Sequence, residues 1–350
     1  MKILLVSPGG DKFGGGMGTV TKNIKDYIEN SSSDEVRVFD SRGEVGFALS
    51  FLFFLKALVS VFNELIFSKQ PILLHINVSE RFSFVRKAAF IALARGFKVK
   101  TILHHHGAEL IPFYEGASPF KRRITEYCIT RTDCNLVLGE KWRRFISESV
   151  PNHAPIEILY NAVPRKVVAD GKSSAMSLSM IANLSERKGV VIMLEAIAKV
   201  KNSLDVRVDF LGGGDTEKYA LKAKALGVDH LCHFHGWLAR DKALSIMYQS
   251  HALVLPSYDE GLPMVILEAM AQGVPVICTP VGSIGEVFTH EKECLFVDVG
   301  SADSLAEAIL RLLSDGELQQ QLVDNATQTY ERQFSIENYM SCLENIYQKL

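Results

Sequence analysis

The chain has 350 residues, 47% of them hydrophobic and 22% charged, with a formal net charge of −2. That length points to two or three domains, and the composition excludes a disordered or low-complexity chain. The charge is uneven: residues 1–165 carry 22 Lys+Arg against 16 Asp+Glu, a net of +6, and residues 166–350 carry 16 against 24, a net of −8. A basic first half suggests an anionic partner, either phosphates or the cytoplasmic face of a membrane; unselected surface composition is the plainer explanation. No nucleic-acid partner is expected. The six cysteines are scattered and none forms a C-x-x-C pair, so they read as reduced cytoplasmic thiols. The apolar run after Met1 is too short for a signal-peptide core.

In chain order, Ile3–Val6 fits a buried parallel strand. A glycine-rich turn follows, through Gly14, Gly15, Gly16 and Gly18, and Thr19–Ile28 reads as a helix. Further strands are expected at Val36–Phe39, Pro71–Ile76, Val99–Leu103, Asn135–Leu138 and Ile156–Leu159, with helices between them. This alternation implies a parallel sheet with right-handed crossovers. Phe47–Phe67 is the awkward piece, since its first sixteen residues hold one charge, Lys56. The reading adopted is a crossover helix covering the sheet. A crossover helix that also touches a membrane, helped by Arg86-Lys87, Lys121-Arg122-Arg123 and Arg143-Arg144, stays open, as does a true span. Residues 165–177 are polar and read as a linker. The alternation then restarts at Leu178–Ile181, Val206–Leu211, His230–Phe234, His251–Leu255, Val276–Cys278 and Cys294–Val297. Phe334–Leu350 reads as an amphipathic terminal helix.

The strongest chemical signal is the stretch from Ser257 to Gly273. A strand ends in a loop carrying Glu260, Pro263 suits the first turn of a helix, Glu268 lies inside that helix, and Gly273 suits its stop. Free amides of that helix start, near Gly261 to Met264, would point beyond the strand end, where open α/β sheets bind ligands. Taken alone, Glu268 reads as an ordinary surface carboxylate. Upstream, Lys188-Gly189 at another expected helix start would make an anion site from a point charge and helix amides. A lone lysine in such a place is more often simply surface. Leu211-Gly212-Gly213-Gly214-Asp215 and Val281–Glu286 each follow a strand. Of His104, His105 and His106, adjacent strand residues point to opposite faces, so at most His104 and His106 converge and no metal is expected.

The segment Glu260-Gly-Leu-Pro to Glu268 and on to Val276 resembles the E-x7-E motif of the family-4 retaining glycosyltransferases with the GT-B fold. The resemblance is strong over 178–300 and looser before it. It implies an α/β chain of two Rossmann-like domains with parallel sheets facing across a cleft: 1–164 on the acceptor side, 165–177 as linker, 178–333 on the nucleotide-sugar side, and 334–350 crossing back to the first domain. It implies that Glu260 contacts the transferred sugar and Glu268 the ribose. It further implies that Gly15, Gly16, Arg187, Lys188, Gly212, Gly261, Leu262 and Pro263 line the donor, and that His106 supports the sugar pocket from the acceptor side. The family usually has Gly-Arg where this chain has Ala182-Asn183, and Arg187 is the available substitute. The expected activity is hexosyl transfer from a UDP- or GDP-sugar to a hydroxyl of a saccharide acceptor, lipid-linked, in bacterial surface polysaccharide synthesis. No cofactor is expected, and the location is cytoplasmic or peripheral on the inner membrane face. A non-catalytic nucleotide-sugar-binding paralogue, an epimerase or phosphorylase of the same architecture, and a dinucleotide-dependent oxidoreductase are the alternatives.

Overall fold

A computed structural model describes residues 1–11, 16–43, 47–79, 82–107, 109–165 and 175–350. They form two α/β units, one of Met1–Asn161 with Ile336–Leu350 and one of Ala162–Ser335.

The first unit holds six parallel strands: β1 (Lys2–Ser7), β2 (Glu35–Asp40), β3 (Ile72–Val78), β4 (Lys100–His105), β5 (Cys134–Val137) and β6 (Ile156–Ile158), in the order β2-β1-β3-β4-β5-β6. Strands β1 and β3 are apolar and buried along almost their whole length, as the centre of a sheet covered on both faces requires. The connecting helices are α1 (Gly16–Ser31), α2 (Phe47–Phe67), α3 (Phe82–Gly96), α4 (Leu110–Glu115), α5 (Pro119–Arg131) and α6 (Glu140–Ser149).

Strand alternation sorts these helices onto two faces. On β3, Leu74, Ile76 and Val78 share a core with Ala57 and Val61 of α2 and Phe84, Phe90 and Ile91 of α3. His75 and Asn77 point the other way. The His75 ring bonds the Tyr347 hydroxyl, 2.7 Å away, on the terminal helix Ile336–Lys349, and Asn77 bonds Thr21 of α1 at 3.0 Å. The terminal segment thus packs within the first unit.

The helix over Phe47–Phe67 forms as the alternation requires, but it covers the sheet only with a narrow strip. Ser50, Ala57 and Val61 are buried, while most of its large apolar side chains are exposed. Just 17% of the window Leu49–Phe67 is buried. Its far end is tied down by Glu64, which pairs with Lys2 at 2.8 Å and Arg37 at 2.5 Å.

The second unit repeats the plan with β7 (Ser177–Ile181), β8 (Arg207–Leu211), β9 (Cys232–Phe234), β10 (Ala252–Leu255), β11 (Val276–Cys278) and β12 (Leu295–Phe296), all parallel, in the order β12-β11-β10-β7-β8-β9. Its helices are α7 (Val190–Val200), α8 (Thr216–Ala225), α9 (Arg240–Gln249), α10 (Met264–Ala271), α11 (Ile284–Val287), α12 (Ala302–Ser314) and α13 (Gly316–Thr329). A π-helical turn at Tyr330–Phe334 ends the unit, and the Tyr330 hydroxyl donates to the Val163 carbonyl at 2.8 Å.

Three expectations are corrected here. Ser177, read as linker, opens β7 because the strand needs it to pair with Arg207; residues 166–174 of that linker lie outside the described residues. The first helix starts at Gly16, a turn before Thr19, so Gly16 is its first residue and not part of a loop. Pro263 stands just before α10 as its N-cap, with extended backbone, and not in the first turn.

Burial in the first unit drives the histidine imidazoles toward the neutral form. His75 is pushed down to about 3, His105 to about 4, and His104 well below its ordinary range, chiefly through loss of water. Their folded-state values lie below the unfolded value, so below about pH 6.5 the unfolded chain binds protons that the folded chain refuses. Stability from this source is present above pH 6.5 and lost as pH falls toward 4. At pH 5.5 each such ring costs on the order of 1 kcal/mol, and together they cost several kcal/mol. Urea unfolding of the first unit at pH 7.5 and 5.5 should show this loss. Equal midpoints would mean that these rings are charged or hydrated in the folded protein.

Candidate active site

In the second unit the loops after β7, β8, β10 and β11 come together at the C-terminal edge of the sheet, and glycines let them do so. A Cβ on Gly189 would sit 2.0 Å from the Pro256 carbonyl oxygen, on Gly212 1.9 Å from that of Ala182, on Gly214 2.2 Å from that of Leu184, and on Gly282 2.0 Å from that of Glu260. No side chain fits at such distances. Gly189 and Gly282 also have φ of 73° and 61°, which glycine adopts freely.

This packing brings Lys188 to Glu260. The lysine ends a single 3-10 turn, Glu186–Lys188, that leads into α7. Glu260 sits in the loop between β10 and α10, and its Oε1 is 2.5 Å from the ammonium. The Ser257 hydroxyl donates to the same oxygen at 2.7 Å, and Thr279 Oγ1 donates to the Ser257 carbonyl at 2.5 Å. The Glu260 carboxylate is buried, and a buried carboxylate needs such partners. The Lys188 charge, expected from the sequence to face an anion, is therefore matched by Glu260.

Arg187 is exposed, and its guanidinium donates to the Asp259 carbonyl at 2.7 Å, while the Tyr258 amide donates back to the Arg187 carbonyl at 2.8 Å. It latches the two loops together. Asn183, the residue in the family's arginine position, is exposed beside Gly213.

Gly261, Leu262 and Pro263 lead into α10, and the Gly261 carbonyl accepts from the Ser283 amide at 3.0 Å. Glu268 is buried inside α10 and paired with Arg240 of α9. The Gly212 amide donates to the Gly236 carbonyl at 2.9 Å, so this glycine contributes close packing of β7 and β8 and not a spare N–H.

In the first unit His106 follows β4. Its ring lies 4.0 Å from that of His104, and its Nε2 is 3.0 Å from Asn77 Oδ1. Asn77 donates its amide hydrogen to Thr21, so its oxygen is the acceptor and His106 Nε2 carries the proton, leaving Nδ1 as a lone pair. Burial and the neighbouring His75 and His105 push His106 down to about 3, so it is neutral at physiological pH. Gly16 is exposed at the start of α1. Gly14 and Gly15 lie outside the described residues.

Sequence reasoning missed Ser257, Arg240 and Asn77. The first stands in the quoted motif without a distinguishing feature, and the second lies on a helix 28 residues upstream of Glu268. Asn77 was reachable: it is two residues after His75, on the same face of β3.

The model of the family described as glycosyl transferases group 1 matches residues 172–329, which contain this loop cluster. The chain is also 31% identical over 246 residues to the lipopolysaccharide core biosynthesis glycosyltransferase LpsE of Rhizobium meliloti, covering 66% of this chain and 69% of that protein. The chain belongs to the group 1 glycosyltransferases. Its fold matches sucrose-phosphate synthase of Thermosynechococcus elongatus, with a TM-score of 0.82 at 18% identity over 99% of this chain and 98% of the other. It also matches Anabaena HepE, solved in complex with UDP and glucose, with a TM-score of 0.79 at 16% identity over the full length of both. The group 1 glycosyltransferase described here thus has the GT-B fold.

Two substitutions probe this geometry. Gly282→Ala forces a Cβ into the Glu260 carbonyl at a left-handed backbone, and should cost about 1–3 kcal/mol and displace Glu260. Arg240→Met leaves the Glu268 carboxylate without its cation and should cost about 2 kcal/mol. Calorimetric melting of both variants checks this; wild-type midpoints would show that these contacts carry no weight.

Proposed function

We propose that this group 1 glycosyltransferase moves a hexose-type sugar from a UDP- or GDP-sugar to a hydroxyl of a saccharide acceptor, with retention at the anomeric carbon. The observation that carries this reading is the Lys188–Glu260 pair, held at the strand edge with Glu268 eight residues further on. The ordering of charges suits a donor. A diphosphate would draw Lys188 away from Glu260, and the freed carboxylate would accept hydrogen bonds from the sugar's hydroxyls. The ammonium exchanges one anion for another, and the carboxylate stays hydrogen-bonded by Ser257 and the sugar hydroxyls.

The difficult step is departure of the nucleoside diphosphate. Charge builds on its phosphate oxygens, where Lys188 and Arg187 supply fixed positive charge and the first-turn amides of α7 and α10 supply hydrogen bonds. Glu268 is assigned to the ribose and neutral His106 to the acceptor side, where its Nδ1 lone pair can accept a hydroxyl hydrogen. No enzyme nucleophile is assigned, and no cofactor or metal is invoked. Similarity to LpsE, named for lipopolysaccharide core biosynthesis, and the basic first half of the chain support a lipid-linked acceptor in surface polysaccharide synthesis, used from the cytoplasmic side. HepE, solved with UDP and glucose, supports UDP as the first donor base to try.

Thermal unfolding with UDP, GDP, ADP, TDP and CMP in parallel tests the donor. A ligand at about 100 times its dissociation constant adds about 2.7 kcal/mol, and the shift should appear with one diphosphate and vanish in Glu268→Ala. With the matching nucleotide sugar, Glu260→Gln and Lys188→Met should each lower kcat roughly hundredfold, and NMR of the product should show the donor's anomeric configuration. A nucleotide-induced shift without transfer from any nucleotide sugar, together with unchanged function in the two variants, would instead identify a non-catalytic paralogue. The exposed Asn183 in place of the family's arginine is the observation favouring that second reading.

A further inference from the structure

Helix α2 wears its apolarity on the wrong side for a soluble crossover. The residues it turns to the sheet include the small Ser50 and Ala57, while Leu49, Leu52, Leu55, Val59, Phe62 and Ile66 recur every three or four positions along the outside. Leu52 and Val59 keep 59% and 57% of their surface exposed. This stripe runs about 26 Å at helical rise, and a contiguous apolar patch of that kind marks an interaction surface. It continues onto its neighbours: Phe62 meets the exposed Phe97 edge-on at 5.8 Å, and Phe82 and Phe120, at the starts of α3 and α5, are also exposed.

The charges on these three helices are one-sided. Together α2, α3 and α5 carry eight basic residues and two acids, and of the eight only Lys87 is fully buried. The two acids are engaged, Glu64 by Lys2 and Arg37 and Glu126 by the Tyr114 hydroxyl at 2.6 Å. Lys56, Arg95, Lys121, Arg122 and Arg123 are exposed, and the Lys121 ammonium lies over the Phe82 ring at 5.9 Å.

We infer that the outer face of α2, with the exposed ends of α3 and α5, docks on an anionic lipid bilayer, α2 lying in the plane of the interface. A buried apolar stripe flanked by cations is the chemistry of such a contact. A second copy of the chain fits it less well, because a two-fold contact would set these cations against one another. A span is excluded by topology: α2 enters from β2 and leaves to β3, both paired with β1, so both of its ends are held on one sheet. The inference deepens the lipid-linked acceptor reading, which gives such docking a purpose, but it is measured without turnover.

The test is flotation of the full chain with phosphatidylcholine vesicles, with and without phosphatidylglycerol, at low and high salt. The wild type should float with the anionic vesicles at least about tenfold more than with neutral ones, and less at high salt. Leu52→Glu/Val59→Glu and, separately, Lys121→Glu/Arg123→Glu should each reduce this about tenfold, with melting temperature and the nucleotide-induced shift unchanged. Wild-type protein that ignores anionic vesicles, or a Leu52→Glu/Val59→Glu variant that floats equally well, overturns the inference. So does light scattering that shows a vesicle-free dimer split by that same variant, which would give the face to a second copy. Flotation by an enzyme that accepts only soluble saccharides would sink the acceptor reading and leave the docking face standing.

Discussion

The candidate donor site rests on backbone touching backbone. At Gly189, Gly212, Gly214 and Gly282 a carbonyl oxygen from a neighbouring loop occupies the place a side chain would fill. Each contact draws the end of one strand against the next, and their sum is a small platform at the edge of the second sheet. The side chains with charge are then guests on that platform. Lys188 reaches Glu260 because Gly189 lets its turn lie against Pro256, and Glu260 holds its place because Gly282 passes close beneath its carbonyl. A change at any of these glycines would act on chemistry without touching a charged group.

A second polar design occupies the first unit. One face of its sheet buries two runs of hydrogen bonds, from Tyr347 through His75 to His104, and from His106 through Asn77 to Thr21 and Ser7, with the His104 and His106 rings in contact where the runs meet. Buried polar chains of this kind are costly where a link is left unsatisfied, as at His104 Nε2, while the bond to Asn77 fixes which nitrogen of His106 bears a proton. The opposite face is apolar. Strand alternation separates the two, so three consecutive histidines serve two different environments: His104 and His106 belong to the polar chain, while His105 bonds Asn135 on the other side at 3.1 Å.

Most of the architecture was legible because parallel strands buried on both faces leave unmistakable apolar runs, as at Ile3–Val6 and Leu253–Leu255. The E-x7-E segment was legible because its punctuation, Pro263 before a helix and Gly273 after it, is local. Pairings between distant segments were not. Arg240 carries no local mark that would join it to Glu268, and Ser257 differs in no way from other loop serines. The Lys188–Glu260 pair spans 72 residues, and only the folded geometry shows the two neutralising each other. The sequence marked Phe47–Phe67 as unusual but could not say which of its sides met the sheet, since a segment apolar all round has no face to read.

The path of the chain has a consequence for how the protein is made. The second unit is one unbroken stretch, Ala162–Ser335, whereas the first takes its last helix from the end of the chain. Until residue 347 has been synthesised, His75 lacks the phenol that satisfies its buried ring. The second unit therefore closes from one continuous stretch, whereas the first sheet is completed only when two segments more than 170 residues apart in the chain meet.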